Sequence, residues 1–162
     1  MKLNRTHVVA VALALVAAGT VAPMAFGSPP SGFTPTTLVA ADFDDTVRLN
    51  SDRIKFQTKD PTDVIVQKIV IDAGGTSGWH HHPGIVIIAV ESGSVTFWNS
   101  HCKKTTYGPG LPNGAVFTES GDKPGQVTSS GGSTTYATII TPSADPPLFR
   151  FEDNPPRCAR KG

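Results

Sequence analysis

The chain has 162 residues, of which 38% are hydrophobic and 17% charged, with 16 glycines and 14 prolines. That length and apolar content support one core rather than two, and short runs of Val, Ile, Thr and Ser between Gly and Pro point to a turn-rich β protein. The formal net charge is +1, with no basic stripe to neutralise phosphates, which argues against nucleic acid as a partner.

At the N-terminus Lys2 and Arg5 precede an apolar stretch from Val8 to about Ala22, followed by small residues at Ala25 and Gly27. This is the layout of a cleaved signal peptide over residues 1–27, cut ahead of Ser28 or near Ala22. An uncleaved anchor helix is the alternative, but it wants roughly 20 apolar residues to span a bilayer. A Sec-type signal implies a secreted or cell-envelope protein without stable membrane insertion after cleavage. Losing Lys2 and Arg5 leaves 12 of the 14 basic residues against 13 acidic ones, a net charge of about −1. In an oxidising compartment Cys102 and Cys158 are expected to form a disulfide, and closing so long a loop contributes about 4 kcal/mol in the chain-entropy model. Two unbonded thiols would instead favour a reducing compartment and count against the signal.

Residues 28–37, SPPSGFTPTT, read as a flexible linker. The domain expected over 38–142 alternates turn clusters with strand-like runs at 53–57, 63–72, 84–93, 94–99, 115–119, 125–130 and 133–141. Regular short strands without helical periodicity between them predict an all-β sandwich or barrel. The runs GIVIIAVESG and SVTFWN read as a hairpin around Glu91-Ser92-Gly93-Ser94, with Gly93 supplying a positive φ. Residues 143–162 are punctuated by proline but carry Leu148, Phe149, Phe151 and Cys158, so they are expected to lie back on the domain as a strap.

The stretch GWHHHPGIVIIAVESGSV holds three of the five histidines. In extended chain His80 and His82 point to one face and His81 to the other, and two imidazoles on one strand face form half of a transition-metal site. The spacing resembles the first motif of the cupin family, G-x5-H-x-H-x3,4-E-x6-G. Gly74, His80, His82 and Gly93 fall on it, while Val86 stands where metal-binding cupins carry glutamate. The second motif, G-x5-P-x-G-x2-H-x3-N, fits less well. Setting Pro112 and Gly114 on its P-x-G leaves Phe117 and Gly121 at the histidine and asparagine. The preferred placement sets Gln126 and Ser130 there. Under either, the third histidine is missing.

The resemblance implies a single-domain jelly-roll β-barrel with metal ligands His80 and His82 and a weaker third ligand, the Gln126 carboxamide. Two imidazoles and a neutral amide hold a divalent metal (Fe, Mn, Zn or Ni) poorly compared with three imidazoles and a carboxylate, so low occupancy is expected. Val86, Ile88 and Val90 share one face and, with Trp98 and Phe117, are expected to line a cavity or fill the interior. Trp79 and Trp98 either stack on a ligand or plug the barrel end. His81 reads as a side chain that is either solvated or supports the ligands from behind, His101 as a surface residue, and Glu91 as a hairpin corner facing water. No catalytic residue stands out. Three functions fit: an exported cupin-like barrel that binds a small molecule with weak or absent metal, a metal-dependent dioxygenase or isomerase of cupin type, and a non-catalytic envelope interaction protein. A homodimer is compatible with each.

Overall fold

The computed structural model describes residues 28–161. The expected signal peptide over 1–27 lies outside them. Twelve strands follow in chain order: β1 (Ser31–Phe43), β2 (Arg48–Asn50), β3 (Lys55–Gln57), β4 (Thr62–Thr76), β5 (His80–His81), β6 (Ile85–Gly93), β7 (Val95–Trp98), β8 (Lys104–Tyr107), β9 (Val116–Ser120), β10 (Gln126–Ser129), β11 (Ser133–Pro142) and β12 (Phe151–Glu152). Among the described residues no helix is long and apolar enough to cross a membrane.

Period-2 patterning builds the core. On β4 the side chains of Ile65, Gln67, Ile69 and Ile71 alternate inward, on β6 those of Val86, Ile88 and Val90, and on β11 those of Thr135, Ala137 and Ile139. Their apolar members join Val95, Phe117 and Val127 in one cluster. Eight strands form the main sheet. Its path runs β8-β7-β10-β4-β11-β6-β9, and β1 lies along β4. The long β4 serves both halves: residues 62–71 pair with β11, and Gly75 and Thr76 pair with β10. A strand shared in this way curls the sheet into a nearly closed barrel that ends at β8 and β9.

Two expectations are corrected. Residues 31–37, read as a flexible linker, form the first half of β1, with Thr34 opposite Val70 and Thr36 opposite Lys68. The Pro and Ser content that signals a linker also suits an edge strand, where Pro35 needs no ladder partner on its outer side and β-branched threonines fit the pleat. Phe33 packs on the core from this strand. The ESGS stretch is not a hairpin. Strand β6 pairs with β11 and β9, and β7 pairs with β10 and β8, so the chain crosses from one half of the barrel to the other. Gly93 does have the expected positive φ of 71°. Its further role is steric, because a Cβ there would stand 2.1 Å from the Gly132 carbonyl oxygen.

Residues 143–161 return across the barrel. The Asp63 carboxylate accepts hydrogen bonds from the Ser143 hydroxyl and the Ala144 amide, β12 pairs with β5, and a Cys102–Cys158 disulfide, with Cα atoms 6.1 Å apart, fastens the end.

Candidate metal centre and cavity

The segment before β5 turns at Gly78, where φ is 69° and a Cβ would lie 2.0 Å from the Ser28 carbonyl oxygen. The chain then extends, and its two-residue alternation sends His80 and His82 into the barrel and His81 outward. The backbone of His80 exchanges hydrogen bonds with Gly125 at 2.9 and 2.8 Å, which ties the segment to the end of β10. His80 and His82 are 3% and 8% exposed. Their rings stand nearly perpendicular with centroids 5.0 Å apart.

A carboxylate meets them. Glu119 on β9, 9% exposed, sets its Oε2 at 3.4 Å from the Nε2 of both histidines. Donor atoms of the three residues all lie within 4.8 Å of one another. Glu119 is directly opposite Val86 in the β6–β9 ladder, and residues paired across an antiparallel ladder project to the same face. The carboxylate absent at position 86 is thus supplied from the neighbouring strand.

The outer hydrogen bonds fix how the rings present themselves. His80 Nδ1 lies 2.9 Å from the Gly78 carbonyl oxygen, and His82 Nδ1 is bonded to the Phe149 carbonyl oxygen. A carbonyl only accepts, so both Nδ1 atoms donate, and each Nε2 faces Glu119. Two bare Nε2 lone pairs opposite a carboxylate would repel it. The arrangement is stable when the rings carry a second proton or when a cation lies among the three groups. Burial by itself pushes the Glu119 carboxyl up, but hydrogen bonds and positive charge from His80 and His82 outweigh it and hold the carboxyl at about 2. Glu119 is therefore an anion at neutral pH. Two imidazole nitrogens with carbonyl-anchored Nδ1–H groups and one carboxylate oxygen fit a divalent transition metal with open positions, the donor set of two-histidine, one-carboxylate sites.

The three residues open on a cavity of about 280 Å³. Its walls are largely apolar: Ile69, Ile71, Val86, Ile88, Phe117, Val127 and Ile139 from the barrel, with Pro30 and Phe33 from the N-terminal segment and Phe149 and Arg150 from the C-terminal return. His82 and Glu119 also border a second, more polar cavity of about 240 Å³, lined in addition by His101, Asn99 and Lys123.

The expected site residues divide. His80 and His82 converge, and Val86, Ile88 and Phe117 line the cavity. Gln126 is not with them: it sits on β10, where its Nε2 donates to the Thr76 hydroxyl at 2.6 Å. On β10 it alternates with the cavity-lining Val127 and is not itself part of the cavity wall. Val90 is buried in the core cluster and does not line the cavity. Trp98 is also outside it, with its indole N–H donating to the Thr128 hydroxyl and the Lys104 ammonium 4.4 Å from its ring centroid. His81, expected to face away from the pair, does so and has partners in the C-terminal return: its Nδ1 is 2.7 Å from Asp153 Oδ2, and its ring stacks on Phe151. The sequence reading did not place Glu119 beside the two histidines. The signal for it lies in AVFTE, where it shares strand parity with the apolar Phe117 and so faces the interior.

No protein-family model matches the chain, and no curated protein matches it in sequence. Among solved structures the chain is similar to a cupin-2 domain from Rhodospirillum rubrum, at 11% identity over 73% of this chain and 65% of that one, with a TM-score of 0.48. It is similar to a cupin domain from Bordetella pertussis, at 19% identity over 70% and 97% of the two chains, with a TM-score of 0.43. A third is a salicylate 1,2-dioxygenase from Pseudaminobacter salicylatoxidans, at 13% identity and a TM-score of 0.40, covering 46% of this chain and 20% of that one. The chain spans about a fifth of that dioxygenase's length. By its own strand order the chain is an all-β, nearly closed barrel that carries an inward-turned histidine pair.

Proposed function

We propose that this protein binds a divalent transition metal through His80, His82 and Glu119 and holds a small molecule beside it in the barrel cavity. One observation carries the reading: the convergence of two Nε2 atoms and a carboxylate oxygen in a buried wall of an apolar cavity. Glu119 supplies the anionic ligand whose apparent loss argued for weak occupancy. When bound, such a metal polarises a coordinated oxygen and lowers the pKa of bound water, as in oxygenases, isomerases and hydrolases. The protein's own groups do the rest. The Gly78 and Phe149 carbonyls hold the imidazoles by their Nδ1–H groups, and the aliphatic walls keep bulk water from the buried carboxylate. The reaction type is a metal-assisted one of cupin kind. Export is part of the proposal, supported by the signal-like N-terminus and the Cys102–Cys158 bond.

Elemental analysis of the mature, untagged protein supplied with Fe(II), Mn(II), Zn(II) and Ni(II) tests it. One of these metals is expected near stoichiometry, with retention falling by at least about tenfold in His80→Ala and Glu119→Gln, since even outer partners of metal ligands change affinity by about 10–100-fold. Equal metal content in the native protein and both variants, or none in the native protein, would sink the proposal.

A further inference from the structure

We infer that the cavity takes small amphipathic carboxylates, with Arg150 as the anchor of the anionic head. The inference names the ligand class of the cavity just described and rests on the reading of that cavity as a ligand site. Arg150 is the only arginine or lysine among its lining residues, and it is held in place. Its Nη2 donates to the Ser77 carbonyl oxygen at 2.6 Å, and its Nε and Nη2 form a fork on the Glu152 carboxylate at 2.6 and 3.2 Å. Ser77 is 1% exposed, and its hydroxyl lies 3.5 Å from His80 Nδ1, so the turn that orients one metal-facing imidazole also orients the guanidinium.

Nη1 makes no hydrogen bond to the described residues, while Nε and Nη2 are committed. An apolar occupant that reached Nη1 would cover the donor without pairing it, and a donor taken from water unpaired is costly. A carboxylate supplies a charged acceptor for the remaining Nη1–H groups, and a hydrogen bond between ionised partners is stronger than a neutral one. Glu152 does not fill that role, because its side chain is 42% exposed and binds the other edge of the guanidinium. The remaining walls are aliphatic or aromatic and suit an apolar body. A volume of about 280 Å³ admits about nine non-hydrogen atoms at the ~30 Å³ that each water occupies in the liquid, which is the size of benzoate or hexanoate.

The test uses two isosteric pairs, benzoate against benzamide and hexanoate against hexanamide, titrated into the mature protein by calorimetry, both metal-loaded and metal-stripped. At least one acid is expected to bind about tenfold or more tightly than its amide. Arg150→Gln should abolish that preference and leave the amide within about twofold of native. Glu152→Gln breaks the same ion pair but keeps the guanidinium, so it should retain the preference, which separates loss of the anchor from a loosened strap. An amide that binds as well as its acid, an Arg150→Gln variant that keeps the preference, or no binding by any probe overturns the inference. If stripping the metal removes the preference while Arg150→Gln keeps it, the anionic head belongs to the metal and the assignment to Arg150 fails. An Arg150-dependent preference in a protein that takes up no metal upholds the inference and removes the metal reading.

Discussion

The two imidazoles of the site are held by different parts of the chain. His80 belongs to the barrel: its ring donates to Gly78 two residues earlier, and its backbone is paired in both directions with Gly125. His82 depends on the C-terminal return, because the acceptor for its ring is the Phe149 carbonyl. That return contributes part of the cavity wall and is fastened by β12, by Asp63 and by the disulfide. The barrel is stabilised by buried apolar area, which is lost all at once. The return is held by a few directional contacts and one covalent link, so it can open while the barrel stays folded. One histidine should therefore share the stability of the core, and the other that of the strap.

The largest effect should come from breaking the barrel. Ile65 is 2% exposed in the core cluster and does not line the cavity, so Ile65→Ala is expected to cost about 2–5 kcal/mol. Denaturant unfolding should show this as a lower midpoint with all probes changing together. Cutting the strap should cost less and act differently. Cys158→Ser is expected to lower stability by about 2–4 kcal/mol, with faster amide exchange over residues 149–158, unchanged exchange in β4 and β11, and weaker metal retention through His82. If β4 amides in this variant exchange as fast as those of the strap, the division between barrel and strap does not hold.

The smallest and most gradual effect is acidic. The folded Glu119 carboxyl sits at about 2 against an ordinary 4.5, so its contribution to the stability of the metal-free protein is fully present above about pH 4.5 and is lost as pH falls through that window toward 2. Urea unfolding of metal-free protein at pH 6 and pH 3 should show a drop that is smaller in Glu119→Gln. An equal drop in the variant would place the acid sensitivity elsewhere.

Most strands were legible because alternation is a local signal. DVIVQKIVID, IVIIAV and STTYATIIT carry period-2 burial over six to ten residues, and each lies in a strand. The edge strand β1 was not legible, since Pro and Ser look alike in a linker and at a sheet margin. Nor was the route of the chain past Gly93: a positive φ there suits a hairpin and a crossover equally.

The site divides in the same way. His80 and His82 share a face because neighbours two apart in an extended chain always do, and their spacing from Gly74 and Gly93 was visible without any fold. The pairing of Cys102 with Cys158 followed from their being the chain's two cysteines. Glu119 is 37 residues from His82 and reaches it through the β6–β9 register, which puts it opposite Val86. Register depends on how whole strands bury their faces against one another, so no short stretch of chain encodes it. The same holds for Phe149 and Arg150, which enter the cavity wall because residues 143–161 fold back over the barrel.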